Sequence, residues 1–420
     1  KQYPKSSYRS SAMMELANTY AINNQQPQAL DEYQLVLDTY PNSPYVTECL
    51  LQKGQIYYNQ NQNDKAQQAW EQVVKSNRNS PEGAEALAHI KMLYTTQGKI
   101  QQMQDYFHSV GVDLSQSALD SATFSIVKAA YLENNYDKTL PAANTYLQKF
   151  PQGIFSAEVR FYRGDCYYKL KKSDSALVDY AYVVKMPKSF FTESALAKAS
   201  QLAYDKKDYA NALNFYNQLS AIAQYESNQS NARMGKMRCN YLLKRYDATI
   251  TSADTVLQTA KMQTEVYAEA TVLIARSLFQ KEQYDSAAVY FQKATGMTHS
   301  EIEAEGKYNV AYIEYLKGDV PASEKTIFDL INQEPSYPTW MAKGLILLSD
   351  DYLSVHDNFQ AKHTLNTVID NASDTAIISQ AKLRLAKIAE NEKKAIPPPV
   401  NPNMTIPFNS DTTEYKKLFK

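Results

Sequence analysis

Apolar residues recur along this chain at helical spacing, and the helices they predict come in pairs. Leu50, Gly54 and Tyr57 lie three to four residues apart on one helical face. Nine residues beyond Tyr57 comes Ala66, and four further on comes Trp70, the matching stripe of a second helix. The same spacing occurs earlier as Met13, Leu16, Ala17, Tyr20, then Ala29 and Tyr33, and later as Gly164, Tyr167, Ala176 and Tyr180. The small residue of the second helix recurs as Ala29, Ala66, Ala176, Ala212 and Ala287. Met103, Thr139, Thr249, Ser323 and Lys362 fill the same column in the other units, at intervals of 36 to 39 residues.

A fixed period in this range predicts stacked helical hairpins. A hairpin alone leaves one apolar face bare, and the next unit covers it. The small residues let two helices approach, so Gly54, Gly164 and the alanines are expected to receive an aromatic ring from the partner helix. The fold class expected is all-α: a right-handed superhelical solenoid of about ten stacked antiparallel hairpins, then a C-terminal capping helix through Lys382, Leu385, Ile388 and Ala389. Residues 1–394 form this solenoid. Residues 395–420, opening on Pro397-Pro398-Pro399, read as an extended tail that either stays solvated or docks back through Ile406-Pro407-Phe408 or Tyr415–Phe419. Ser43 and Ser80 are expected to cap helices beginning at Pro44 and Pro81.

The sequence of large apolar residue, Gly, Tyr, then Ala, aromatic and Pro resembles the tetratricopeptide repeat over about residues 6–394, although Lys53 and Arg163 stand where that family prefers Leu. The resemblance implies protein or peptide partners. In that family the residue after the Tyr column lines the concave surface. Here it is Tyr58, Tyr131, Tyr168, Tyr204, Tyr241, Phe279 and Tyr315, preceded by three residues on the same face by Gln55, Lys128, Asp165, Gln201, Arg238, Arg276 and Tyr312. These side chains form either a partner-binding aromatic ladder or a set of wedges between hairpins. On the first reading, changes at Arg238 or Arg276 alter association and leave melting alone. The two Lys/Arg and Asn columns with which one subclass grips a C-terminal carboxylate are not matched, Asn18 apart.

Composition narrows the chemistry. The 420 residues carry a formal net charge of −1, which gives no basic stripe for nucleic acid. Eleven glycines in the whole chain argue against a phosphate-cradling loop, and no run of 18 apolar residues predicts a membrane span. His89, His108, His299, His356 and His363 show no metal-ligand spacing, and no catalytic motif is present, so no cofactor, metal or catalytic residue is expected. Cys49, Cys166 and Cys239 fall in different units and read as buried apolar residues.

Tyr3-Pro4 reads as the end of a preceding unit, which predicts that the chain starts inside a longer array. Tyr40-Pro41-Asn42-Ser43-Pro44-Tyr45 with Glu48-Cys49-Leu50, and Phe150-Pro151 with Phe155–Glu158, are similar to bacterial cell-envelope members of the repeat family, the outer-membrane assembly lipoprotein and the Tol-Pal-associated periplasmic protein. That similarity implies a periplasmic setting, with a cytoplasmic array as the alternative. The function expected is a non-catalytic scaffold. The alternatives are an accessory domain of a larger protein with its active part upstream, and a solenoid that binds glycan or peptidoglycan.

Overall fold

A computed structural model describes residues 8–259 and 263–394. Among them lie 21 helices and no strand. Tyr3-Pro4 and the 395–420 tail lie outside the described residues. The chain divides into two compact units, Lys1–Phe191 and Thr192–Lys420.

The first unit contains five hairpins: α1 (Arg9–Ile22) with α2 (Gln26–Thr39), α3 (Val46–Asn59) with α4 (Asn63–Asn77), α5 (Pro81–Thr96) with α6 (Ile100–Ser109), α7 (Gln116–Leu132) with α8 (Tyr136–Lys149), and α9 (Ser156–Lys169) with α10 (Ser173–Lys185). The second contains five more and a closing helix: α11 (Thr192–Asp205) with α12 (Tyr209–Ile222), α13 (Glu226–Leu242) with α14 (Tyr246–Leu257), α15 (Thr264–Gln280) with α16 (Tyr284–Thr295), α17 (Glu301–Leu316) with α18 (Val320–Ile331), α19 (Pro338–Ser354) with α20 (Asn358–Asn371), and α21 (Thr375–Lys394). Within each unit the hairpins stack in chain order, and from α3 to α9 and from α11 to α21 each first helix also packs on the next first helix. The expected all-α architecture of ten hairpins and a C-terminal capping helix is therefore present.

The core follows the predicted columns. Each small residue of a second helix is buried, and four residues on sits a buried partner: Tyr33, Trp70, Phe107, Tyr180, Tyr216 or Phe291 in six of the hairpins. Trp70 shows how the small residue works. Its indole is 0% exposed, stacks on the His89 ring at 4.8 Å, and donates Nε1–H to the Leu51 carbonyl at 3.3 Å. A Cβ added to Gly54 would fall inside that indole, so the glycine makes the approach possible. Gly235 serves Tyr216 in the same way from the following hairpin.

Two expectations need correction. The tenth member of the small-residue column is Ala361, fully buried, and not Lys362, whose ammonium reaches the Glu392 carboxylate at 2.8 Å. Burial in the hairpin seam selects the methyl group and sends the neighbouring lysine outward, and the column spacing contracts to 36–38 residues. Ser80 caps α5 as expected, accepting Gly83 N–H at 3.1 Å with Pro81 as the first helical residue. Ser43 does not cap α3. Its Oγ accepts Tyr45 N–H at 3.3 Å and its carbonyl accepts Val46 N–H at 3.2 Å, which forms a turn, and the helix starts at Val46 beyond Pro44.

A second periodicity keeps the hairpins in register. Asn24, Asn61, Gly98, Asn134, Lys171, Lys207, Lys244, Glu282, Gly318 and His356 all have φ between +55° and +77°. Each ends the turn between the two helices of one hairpin. The next residue's N–H returns to the carbonyl five positions back, as in Gln25 to Tyr20 and Gln62 to Tyr57, both at 2.8 Å. This left-handed cap satisfies carbonyls that a helix end otherwise leaves bare. Half of the ten residues are Lys, Glu or His, which pay a steric cost there that Gly avoids.

Candidate functional site

The predicted ladder residues all lie on first helices, and the structure distributes them unequally. In the first unit, Tyr58 is half-buried with its ring centroid 6.0 Å from that of Trp70. Tyr131 on α7 stacks at 4.0 Å on Tyr162 of α9 and donates its hydroxyl to Asp165 at 2.8 Å. Asp165 also accepts from Tyr180 at 2.5 Å. Lys128 is exposed, its ammonium 5.7 Å from the Phe124 ring centre, and Tyr168 is 42% exposed. Tyr131 and Asp165 thus lock neighbouring hairpins together, while Lys128 and Tyr168 face solvent.

Arg163, at a column where Leu was the reference, holds a buried acid in place. Its guanidinium binds Asp179 through Nε at 2.8 Å and Nη2 at 2.7 Å, and Arg160 lies 3.4 Å from the same carboxylate. Asp179 is fully buried. Lys53, at the matching position before Gly54, is 8% exposed and donates only to the side-chain oxygen of Gln34. Burial pulls its pKa below the usual lysine value, and the negative charge of Asp38 opposes that only in part. Cys49, Cys166 and Cys239 are buried thiols whose pKa burial pushes up to about 11, which leaves them protonated and unreactive near neutrality.

In the second unit, Gln201 is exposed and donates to Asp205 at 2.7 Å, and Tyr204 tilts against Tyr209 at 5.6 Å. Arg238 of α13 closes on Glu269 of α15 through Nε and Nη2, both at 2.6 Å. Arg276 of α15 repeats this on Glu305 of α17, with Nε at 2.5 Å. These two-pronged pairs clasp successive first helices. Substitution at either arginine therefore also touches stability.

Three ladder residues, Tyr241, Arg276 and Phe279, converge with residues that the column reading did not select. Together they line a cleft of about 380 Å³. Glu305, Tyr308 and Asn309 enter from α17, Trp340 and Lys343 from α19, and Gln380 from α21. Arg276 lies 5.8 Å from the Tyr241 ring centre and Lys343 only 4.0 Å from that of Trp340. Phe279 approaches Tyr312 at 5.9 Å, Tyr312 approaches Tyr308 at 6.3 Å, and Tyr308 approaches Trp340 at 5.5 Å, so the rings form a continuous wall. Tyr315 joins it beside Tyr312 at 6.3 Å. Trp340 Nε1–H donates to Glu301 at 3.0 Å, which fixes the indole in the wall.

Tyr308, Trp340 and Lys343 sit seven to thirteen residues ahead of the aromatic column on their helices. The available signal was the change from Glu269 and Glu305 to Lys343 at one recurring position. Among the described residues no helix is long and apolar enough to cross a membrane, and no group of three or more His, Cys, Asp or Glu side chains could hold a metal ion.

Residues 48–80, the α3–α4 hairpin and its exit loop, match the family model of the tetratricopeptide repeat. No curated protein matches the chain. Among solved structures, the C-terminal part of a TPR repeat-containing protein from Cytophaga hutchinsonii is 15% identical, with a TM-score of 0.43 and coverage of 61% of this chain and 98% of that one. The TPR domain of P58(IPK) is 14% identical over 92% of this chain and 99% of that one, at a TM-score of 0.31. YrrB, described as a TPR protein with an unusual peptide-binding site, is 16% identical, covering 46% of this chain and 98% of that one at a TM-score of 0.35. At these scores the likenesses say nothing of function, and the fold stands on the helices themselves.

Proposed function

We propose that this chain is a non-catalytic scaffold whose stacked hairpins form a tetratricopeptide-type array, and that the cleft bounded by Tyr241 and Lys343 seats an extended segment of a protein partner. The carrying observation is the cleft itself: side chains from α13, α15, α17, α19 and α21 meet in one open aromatic-walled trough. Its volume lies within the range of ligand sites. Tyrosine and tryptophan rings supply contact area with little rotamer freedom to lose, and their polar ends can meet a peptide backbone. Asn309 and Gln380 add side-chain amides able to pair with main-chain groups.

Photo-crosslinking tests this reading. A crosslinker placed at Asn309, in the cleft, should capture partner segments that one at Val289, exposed on second helix α16, does not. Equal capture at both positions overturns it. Double substitution of Tyr308 and Trp340 by alanine should abolish capture at Asn309.

The setting proposed is the bacterial cell envelope, supported by the Tyr40–Tyr45 and Phe150–Glu158 phrases and their similarity to envelope members of the repeat family. Recovery of the chain from a periplasmic extract supports that setting, and recovery from the cytosol overturns it.

A further inference from the structure

We infer that the cleft selects an extended peptide carrying a carboxylate beside an apolar or aromatic side chain, with Lys343 as the residue that reads the acid. This rests on the cleft reading above and adds the charge of the ligand. The argument begins with the clasps between first helices. Arg238 reaches Glu269, 31 residues on, and Arg276 reaches Glu305, 29 residues on. In both, the earlier helix supplies the cation and the later helix the acid.

One hairpin further, the register continues and the chemistry does not. Tyr312 stands where the arginines stood, three residues before Tyr315, as Arg238 stands before Tyr241 and Arg276 before Phe279. Lys343 stands where the acids stood, 31 residues beyond Tyr312. In the last step the polarity is reversed: Asp350 of α19 accepts Nε and Nη2 of Arg384 of α21, each at 3.0 Å. Between the two polarities the ladder carries a lysine and no acid. Among the described residues, no carboxylate forms an ion pair with Lys343. Its ammonium rests over the Trp340 ring instead.

The cleft lining is therefore electrostatically incomplete. Arg276 and Glu305 neutralise each other, and Lys343 leaves one positive charge in a trough otherwise lined by rings and amides. The Lys343 ammonium over the half-buried Trp340 ring has a ring on one side only, and a carboxylate can approach its open side without displacing that ring. An acid so placed would complete the missing rung. Its neighbour on the same face of an extended peptide, two residues away, would fall along the Tyr308–Trp340 wall.

Trp340 reports the binding directly, because the other tryptophan, Trp70, is fully buried in the core of the first unit. The probes are three synthetic twelve-residue Gly/Ser/Ala peptides with a central Phe followed two positions later by Glu, Gln or Lys. Titration of the full chain, read by tryptophan emission, should show the Glu peptide binding about tenfold more tightly than the Gln peptide at low salt, equivalent to about 1.4 kcal/mol. Near 1 M salt the gap should close. Lys343→Gln should erase the preference while keeping the affinity for the Gln peptide, and Lys343→Glu should shift preference to the Lys peptide. An unchanged melting curve in both variants shows that packing is not the cause. Equal affinity for the Glu and Gln peptides, or a preference that survives Lys343→Gln, overturns the inference. If no peptide binds while Asn309 still captures partner segments, the acid reading falls and the cleft reading stands. If neither occurs, both fall.

Discussion

Ser323 of α18 donates its hydroxyl to Oδ2 of Asp351 on α19 at 2.7 Å, while Oδ1 of the same fully buried carboxylate has no hydrogen-bond partner. Burial, and after it the negative charges of Glu324, Asp350 and Glu314, outweigh the help from Ser323 and raise the Asp351 pKa from 3.8 to about 6. The folded state therefore holds this proton more tightly than the unfolded chain does. Below about pH 4 both states are protonated and the difference vanishes. As pH rises through 6 the folded state bears an ionised buried acid, and stability is withdrawn.

Asp351→Asn should accordingly raise the unfolding free energy at pH 7, by up to about 3 kcal/mol, and change it little at pH 4. Urea unfolding of both proteins across pH 4–7 measures the difference. A gap that is constant with pH would mean that Asp351 does not titrate in the folded chain.

Gly54→Ala should destabilise by about 1–3 kcal/mol, since its Cβ collides with the Trp70 indole and that ring is already held by His89 and Leu51. Chemical denaturation gives the magnitude, and a red-shifted Trp70 emission in the folded variant would locate the strain.

The hairpin turns give a prediction of opposite sign. Lys207→Gly and Glu282→Gly should each stabilise by about 0.5–1 kcal/mol, because both positions have φ near +60°. Gly98→Ala and Gly318→Ala should each cost about 1 kcal/mol by the same argument. Thermal melting of the four variants checks it.

Asp179→Ala removes the acid between Arg160 and Arg163 and leaves two part-buried cations facing each other. A loss of about 3–5 kcal/mol is expected, as for other broken buried pairs. Arg163→Met with Asp179→Leu should recover much of it, which a double-substitution cycle measures.

The hairpins were legible in the sequence because the small and aromatic columns obey one packing rule throughout: a ring needs room, and Ala or Gly provides it. The turn series was less legible. Asn61 and Gly98 advertise a left-handed residue, but Lys171 and Glu282 adopt it only because the packed helices on either side demand it. Ser43 and Ser80 looked alike as caps, and only the local path of the chain separates a turn from a helix start. At the candidate site the tracked column delivered Tyr241, Arg276 and Phe279. It passed over Trp340 and Lys343, which enter the cleft from the start of α19, where no aromatic column runs.

Three of the hairpin turns carry exposed lysines in succession, Lys171, Lys207 and Lys244. Trypsin cuts after lysine, and these sites lie 36 and 37 residues apart. Brief digestion of the native chain should therefore split hairpins at their turns and release fragments one period long, each a second helix joined to the next first helix. A mass ladder stepping by 36 and 37 residues would expose the periodicity.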